Sequence, residues 1–388
     1  MLVQKIELKK LLLMMVVASM LLVPLAGASS APDDISENGK HPELNALLHD
    51  IPAIKAVDLE ATENVDHRFR AYGKIPELKT GPEVYEWVNN LDQIRTNINK
   101  NKELSDYFYP NGPLIAYGTD ADGYVTVMLY KDYPNIKEED IAGITKIIRN
   151  NAGKVGIKDV PIIFTLDEQI KPATGDWPAL PSYSLKYRPI IGGIAMTTTN
   201  GTIGQVGTVG FAAERDSDNQ KGYVTAGHVS FWSSGIQTYQ PLPGVGNESG
   251  TSSLIGSDSD VAFVPYDNVV GKIHVGGGYT IDVDGYYSGG ITSMYLQRSG
   301  CVSGVELGDY EAVLTGVTIL GHYMDKVKVM DNECQQGDSG GPVYYTYYGR
   351  NKVVGIISAY GTYNNADVTF YIPCSEVTSK LDVTPLEA

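Results

Sequence analysis

The chain has 388 residues, of which 43% are hydrophobic, and its formal net charge is −16. This hydrophobic fraction is ordinary for a globular protein, and the length is enough for two or three domains. The acidic balance and the lack of a long basic run argue against a nucleic-acid partner. No group of histidines and cysteines has the spacing of a zinc site, so we expect neither a metal nor a cofactor.

The first 28 residues have the pattern of a signal peptide. Lys5, Lys9 and Lys10 precede an apolar run at residues 11–25, and small residues follow at 26–28. An uncleaved membrane anchor is the alternative, because the run is near the lower length limit for crossing a bilayer. We therefore expect residues 1–28 to be removed and the mature protein to be secreted, with no membrane contact.

A small α+β unit is predicted in the first half of the chain. Thr80 and Glu83 can form a capping box at the start of a helix whose apolar residues recur at helical spacing. The unit then continues with a hairpin at 113–130, a helix at 135–151 and a strand at 160–165. We find no catalytic constellation in this unit.

Residues 166–187 have the composition of a linker, with Pro172, Pro178 and Pro181 beside Gly175. Beyond it the chain changes to short strands and glycine turns, and no helix is predicted before residues 375–381. The whole chain has 26 tyrosines and 42 glycines, which suits a β-rich fold with tight turns. These features predict a β-barrel or sandwich domain after the linker.

A serine lies between glycines in Gly-Asp-Ser-Gly-Gly-Pro, residues 337–342, just before an apolar run. Glycines allow the backbone to turn sharply. Such a turn can aim the amides of Gly337 and Ser339 at one point, which would form an oxyanion hole beside the serine oxygen. A plain glycine-rich turn is the alternative, because catalysis by serine also needs a histidine and a carboxylate.

His228 is the predicted general base, because it follows the small residues Thr-Ala-Gly and these would let it approach Ser339 closely. A structural histidine is the alternative. The carboxylate is expected between the two in sequence. Asp260 directly precedes an apolar run that suits a buried strand, whereas Asp258 and Asp267 lack that context. We therefore assign Asp260 to orient the imidazole.

The serine segment and the order histidine, aspartate, serine resemble those of chymotrypsin-like serine proteases. Two further segments, Gln-Arg-Ser-Gly at 297–300 and Phe-Tyr-Ile-Pro at 370–373, are similar to motifs of streptogrisin and α-lytic proteases. The resemblance covers residues 190–382. It implies an all-β catalytic domain of two six-stranded antiparallel β-barrels with the site between them, preceded by a small α+β pro-domain.

By this resemblance, residues 29–187 are a pro-region with its linker, and residues 188–388 are the protease domain. The implied function is that of a secreted serine endopeptidase, made as a precursor, which hydrolyses peptide bonds through an acyl-enzyme. Its expected partners are polypeptide substrates and its own pro-region, and we expect a monomer. Two alternatives remain open, namely a catalytically idle peptide-binding homologue and a permanent partner-binding domain at residues 32–187.

The resemblance also implies which residues contact the substrate. An edge strand of Ser358, Ala359 and Tyr360 is expected to pair with the peptide backbone. Three further residues are expected around the primary specificity pocket: Asn332, Glu333 and Asp367. The two acids favour a basic residue before the scissile bond, whereas Tyr360, where the family usually has glycine, favours a small one.

Asp338 lies inside the predicted oxyanion turn, where an unpaired buried charge would be costly. The resemblance names Arg298 as its partner, because streptogrisin and α-lytic proteases use an internal arginine there. Trypsin-like enzymes use a new N-terminal amine instead, and Ile190 begins a similar sequence, but Pro189 disfavours cleavage before it. An arginine fork suits this bidentate role.

Export permits disulfides, and the chain has three cysteines, so one pair and one free thiol is the simplest account. In the family, a cysteine at the position of Cys334 often pairs with one after the substrate-binding strand, where this chain has none. The resemblance makes Cys301 the expected partner of Cys334. A pair with Cys374, or three free thiols, stays open.

Overall fold

The computed structural model describes residues 48, 50–61, 68–175, 182–202, 204–287 and 295–388. All of them belong to one compact unit, Ala46–Ala388. The predicted signal peptide lies outside the described residues. Within the described ranges, no helix is long and apolar enough to cross a membrane.

The N-terminal part, residues 48–175, combines helices with a sheet, as predicted. The first long helix begins after Thr80 with the expected capping box: Thr80 Oγ1 accepts from the Glu83 amide at 3.4 Å, and the Glu83 carboxylate accepts from the Thr80 amide at 3.1 Å. In chain order the elements are β1 Val57–Asp58, β2 Arg68–Tyr72, β3 Lys74–Ile75, α1 Gly81–Asn101, a 3-10 turn Ser105–Tyr107, β4 Leu114–Asp120, β5 Val125–Tyr130, α2 Glu138–Lys154, β6 Ile162–Asp167 and β7 Lys171–Pro172.

Four strands of this part lie side by side in the order β4-β5-β6-β2, and β5 and β6 are parallel. Both long helices pack on this sheet, because each has an apolar stripe at helical spacing. The buried residues of the two stripes include Leu91, Ile94 and Ile98 of α1 and Ile141, Ile144 and Ile148 of α2.

The C-terminal part, residues 182–388, is almost entirely β-structure. Its elements are β8 Ile190–Gly192, β9 Ala195–Thr199, β10 Gly204–Thr208, β11 Ala212–Arg215, β12 Lys221–Thr225, a 3-10 turn His228–Ser230, β13 Gln237–Tyr239, β14 Glu248–Thr251, β15 Leu254–Ile255, β16 Ala262–Pro265, β17 Val269–His274, β18 Thr280–Asp282, β19 Tyr295–Gly300, β20 Gly304–Thr315, β21 Val317–Ile319, β22 His322–Met324, β23 Val327–Met330, β24 Pro342–Tyr347, β25 Arg350–Tyr363, β26 Ala366–Pro373, α3 Cys374–Leu381 and β27 Val383–Pro385.

Six of these strands pair in a closed ring, β19-β24-β25-β26-β23-β20, because β20 also pairs with β19. Every pair in the ring is antiparallel. The strands before β19, together with the C-terminal β27, form three sheets among the described residues, in the orders β10-β9-β13-β14, β15-β16-β12-β11-β27 and β18-β17-β8. The C-terminal part is therefore mostly β, and the two-barrel arrangement stays a prediction.

The N-terminal part is joined to the ring by strand pairing. Strand β4 runs antiparallel to β20, with Asp120 opposite Ala312 and Tyr117 opposite Thr315. The Tyr363 hydroxyl donates to Asp120 Oδ2 at 2.5 Å across the same junction. Strands of the N-terminal part and strands of the C-terminal part thus belong to one continuous sheet.

The structure corrects the prediction of a linker at residues 166–187. Strand β6 continues to Asp167, and β7 pairs antiparallel with β25 of the ring. Residues 176–181 lie outside the described residues. The prolines suggested a linker, but proline also suits an edge strand, because it has no amide to donate into a ladder.

The junction of β4 and β20 generates a prediction of pH dependence. Burial, and then the charge of Asp122, raises the pKa of Asp120 to about 7, and burial followed by Asp120 raises the pKa of Glu311 to about 8. Both pKa values lie above those of the unfolded chain, so the folded state favours the protonated carboxyl groups. The stability that depends on this protonation is complete at acidic pH and is lost as the pH rises through these values. We expect Asp120→Asn to raise the melting temperature by a few degrees at pH 9 and to change it little at pH 5.

The measurement is a thermal melt of the full-length chain carrying Ser339→Ala, which removes the hydroxyl predicted to be the nucleophile. The exposed Asp132→Asn is the matched control and should not alter the pH profile. A parent and an Asp120→Asn variant that lose stability equally between pH 5 and 9 would contradict the prediction.

Candidate active site

His228 and Asp260 are brought together by two neighbouring strands. Strands β12 and β16 are antiparallel, with Thr225 opposite Ala262. The end of β12 therefore lies beside the start of β16. His228 follows β12 in a 3-10 turn and Asp260 precedes β16, so strand pairing alone places the two side chains close together.

The three residues predicted as a catalytic triad form one hydrogen-bonded chain. His228 Nδ1 lies 2.6 Å from Asp260 Oδ2, and His228 Nε2 lies 2.8 Å from Ser339 Oγ. The His228 amide also donates to Asp260 Oδ1 at 2.8 Å. All three are nearly inaccessible to solvent. A carboxylate at Nδ1 keeps the proton on that nitrogen, which leaves Nε2 free to accept the proton of Ser339.

The other two candidate carboxylates, Asp258 and Asp267, form hydrogen bonds with residues other than His228. Asp258 accepts from Lys380 Nζ at 2.8 Å, and the exposed Asp267 accepts from the Gln220 amide group at 2.8 Å. The structure adds a partner that the sequence reasoning missed, because the Ser358 hydroxyl donates to Asp260 Oδ2. A buried serine within the apolar strand β25 was the available signal.

The predicted oxyanion turn is present, and it holds a carbonyl oxygen of the chain itself. The amides of Gly337 and Ser339 both donate to the Ala173 carbonyl oxygen, at 2.5 and 3.3 Å. Gly337 has a φ of 103°, a conformation that side chains disfavour. The turn therefore depends on glycine at this position, and its two amides converge as an oxyanion hole requires.

Asp338, between these two amides, points away from the site into a buried polar shell. Its Oδ1 accepts from the amides of Val302 and Ser303, at 2.9 and 3.1 Å. Its Oδ2 accepts from the Ser303 hydroxyl at 2.5 Å and from the Gln335 amide at 2.9 Å, and lies 3.5 Å from Arg298 Nη1. The structure thus brings the predicted pair of Arg298 and Asp338 together, with Ser303 as a bridge.

The remaining donors of Arg298 hold the turn that leads to Ser339. Nε donates to Asn332 Oδ1 at 2.8 Å, and Nη2 donates to the Glu333 carbonyl oxygen at 2.6 Å. Asn332 is therefore part of the arginine network. Ile190 does not compete for Asp338, because its amide donates to the Asn268 carbonyl within the pairing of β8 and β17.

The two acids predicted at the specificity pocket, Glu333 and Asp367, are both exposed. Asp367 lies near the tip of the β25–β26 hairpin, opposite Thr362. An exposed carboxylate has no desolvated position from which to select a basic side chain, so the structure removes the reason for expecting basic specificity.

All three cysteines are described, and all are buried free thiols. The predicted Cys301–Cys334 pair is not formed in the structure, because the thiols contact different carbonyl oxygens. Cys301 Sγ lies 3.2 Å from the Gly337 oxygen, and Cys334 Sγ lies 3.3 Å from the Ala359 oxygen. Burial raises the pKa of the Cys334 thiol to about 12, so this thiol remains protonated and unreactive at neutral pH.

The edge strand predicted to bind a peptide is paired with the chain's own β7. Tyr360 lies opposite Lys171 and Ala359 lies opposite Pro172, in antiparallel register. The Ala173 amide donates to the Ser358 carbonyl oxygen at 3.1 Å. Residues 171–173 thus add a strand to β25 beside the catalytic candidates.

No protein-family model and no curated protein matches this chain. Solved structures of bacterial proteases are similar to about half of it. Protease A of Thermobifida fusca is 22% identical over 51% of this chain and 99% of the other, with a TM-score of 0.41. The Nocardiopsis protease is 26% identical over 51% and 98%, with a TM-score of 0.40. An α-lytic protease homologue, N4, is 19% identical over 50% and 98%, with a TM-score of 0.39.

The network around Asp338 generates a prediction. Arg298→Ala would leave a buried carboxylate with no guanidinium, so we expect it to lower the free energy of unfolding by about 3 to 5 kcal/mol. Arg298→Lys keeps the charge but loses the fork that reaches Asn332, Ser303 and the Glu333 carbonyl, so it should recover only part of that loss.

Urea denaturation of the Ser339→Ala chain would give these values. The matched control is Arg70→Ala, since Arg70 forms an exposed pair with Glu138 and its loss should cost less than about 1 kcal/mol. Equal losses for the Arg298 and Arg70 variants would contradict a buried supporting role for Arg298.

Proposed function

We propose that this chain is the precursor of a secreted serine endopeptidase with a chymotrypsin-like fold. The observation that carries the proposal is the hydrogen-bonded chain from Asp260 through His228 to Ser339, next to two amides that hold a peptide carbonyl oxygen. Polypeptides are its substrates, and the protein acts as a monomer without a cofactor.

Each side chain has a distinct step in the proposed reaction. Ser339 Oγ attacks the carbonyl carbon while His228 Nε2 takes its proton, and Asp260 stabilises the imidazolium that forms. The amides of Gly337 and Ser339 hold the oxyanion. His228 then gives the proton to the leaving amine, and the acyl group on Ser339 is released by a water molecule that His228 deprotonates.

The placement of these residues supports the two-barrel fold of the proposal. Ser339 and Ser358 belong to the half of the C-terminal part that contains the closed ring of six strands. His228 and Asp260 lie at the ends of β12 and β16, in the other half. A site built between two halves in this way is what the chymotrypsin-like arrangement implies.

An idle peptide-binding homologue is the second candidate, and the same experiment separates the two. A fluorophosphonate should label the processed parent at one serine and leave Ser339→Ala unlabelled. Ser339→Ala should also lower peptide turnover by about a million-fold, as the loss of a catalytic serine does. Asp260→Asn should lower turnover by roughly ten-thousand-fold, because the imidazole then adopts the wrong tautomer.

Asp258→Asn is the matched control, since Asp258 contacts Lys380 and does not contact His228. It should retain turnover within about tenfold of the parent, because substitution of a partly exposed side chain away from the site usually has a small effect. Turnover by Ser339→Ala close to that of the parent would overturn the proposed triad.

We further propose that residues 29–187 assist folding of residues 188–388 and block the cleft. The pairings of β4 with β20 and of β7 with β25 support this, and a fold dominated by non-local strand pairs can fold slowly. Residues 188–388 produced alone should yield little active enzyme, and adding residues 29–187 in trans should restore it. Full activity of residues 188–388 alone, measured against active-site titre, would contradict this role.

A further inference from the structure

Residues 171–175 cross the candidate site as an extended segment. On one side of Ser339, Lys171 and Pro172 pair with β25, and the Ala173 amide donates to the Ser358 carbonyl oxygen. On the other side, Gly175 forms an antiparallel bridge with Val206 of β10. The segment therefore contacts strands from both halves of the C-terminal part.

The oxyanion turn identifies one carbonyl group in this segment. The Ala173 oxygen accepts from both the Gly337 and Ser339 amides, at 2.5 and 3.3 Å. The bond that follows this carbonyl group joins Ala173 to Thr174. Because the chain continues through this bond to Gly175, an intact peptide bond lies at the site.

Gly175, which follows the Ala173–Thr174 bond, packs closely against Gln336. A Cβ added at Gly175 would lie 2.1 Å from the Cβ of Gln336, so the path past the oxyanion turn admits only glycine without a shift of the backbone. The Thr174 hydroxyl is buried and has no hydrogen-bond partner in the structure. Thr174 and Gly175 are therefore held close to the protein on the leaving-group side.

The side chain before the bond is small and fully enclosed. Ala173 has no exposed surface and belongs to one apolar cluster with Cys334 and Ile357, and Tyr360 packs against that cluster. The Gln336 side-chain amide donates to the Tyr360 hydroxyl at 3.4 Å. An apolar enclosure around a methyl group would be overpacked by a larger side chain.

From these contacts, and resting on the proposed function, we infer that the chain cuts itself between Ala173 and Thr174 and that its primary pocket selects alanine-sized side chains. Ser339 Oγ forms the acyl bond to the Ala173 carbonyl carbon as the bond to the Thr174 nitrogen breaks, and His228 passes the serine proton to that nitrogen. Water then releases Ala173 as a carboxylate. The mature enzyme begins at Thr174, so residues 174–187 stay with the protease.

The test follows refolding of the precursor, residues 29–388, with N-terminal sequencing and mass measurement of the fragments. We expect a new N-terminus at Thr174, a rate that is unchanged by tenfold dilution, and no cut in Ser339→Ala. Ala173→Ser should be cut at the same bond, whereas Ala173→Trp should be cut at least about tenfold more slowly. A first N-terminus at another residue, or a rate proportional to concentration, would overturn self-cleavage at this bond.

Because Ala173→Trp could also impair folding, the matured parent is tested on peptides that differ at one position. The series carries Lys-Pro-X-Thr-Gly, with alanine, phenylalanine or lysine at X. We expect kcat/KM to be highest for alanine, by at least about tenfold. Faster cleavage of the phenylalanine or lysine peptide would overturn the pocket assignment. Failure of the proposed function would give a different result from failure of the bond assignment or of the pocket assignment. The parent protein would then neither react with a fluorophosphonate nor cleave any peptide.

Discussion

The contact between the Ala173 carbonyl oxygen and the amides of Gly337 and Ser339 holds residues 171–175 against the turn that carries Ser339. Two amides can converge on one oxygen only while the turn keeps its shape. That shape needs the positive φ of Gly337 and the buried anchorage of Asp338. Arg298 completes the anchorage from inside the chain. The turn therefore has this shape while the chain is continuous, and the Ile190 amide donates to the Asn268 carbonyl oxygen instead of contacting Asp338.

Antiparallel strand pairing joins the N-terminal part to the C-terminal part, and it also holds residues 171–172 against β25. Strand β4 adds to the free edge of β20, and β7 adds to β25, both in antiparallel register. Main-chain hydrogen bonds supply the affinity in such additions and are largely independent of side-chain identity. A fragment that ends at Ala173 would keep the whole β4–β20 pairing after cleavage. In the proposed function, this pairing is the reason that the N-terminal part would stay bound and cover the cleft.

Local context was enough to predict the triad candidates. The glycines around Ser339 and the apolar run after Asp260 each report the backbone geometry that these residues need. The capping box at Thr80 was predictable for the same reason. Three features were not. The prolines of 166–187 do not reveal that residues 171–173 pair with β25, because the partner is far away in sequence. Exposure of Glu333 and Asp367 depends on tertiary packing. The thiols of Cys301 and Cys334 turn towards separate carbonyl groups, which their spacing in sequence does not show.

In the proposed function, the pocket that encloses the Ala173 methyl group would select both the bond that the chain cuts in itself and the side chain that later substrates place there. This holds only if residues 171–175 occupy the site before any bond is cut. A crystal structure of the full-length Ser339→Ala chain tests this most directly. We expect continuous density from Lys171 to Gly175, with the Ala173 oxygen within hydrogen-bonding distance of the Gly337 amide. An empty turn at residues 337–339, or another residue in it, would contradict the placement of the Ala173 carbonyl group there.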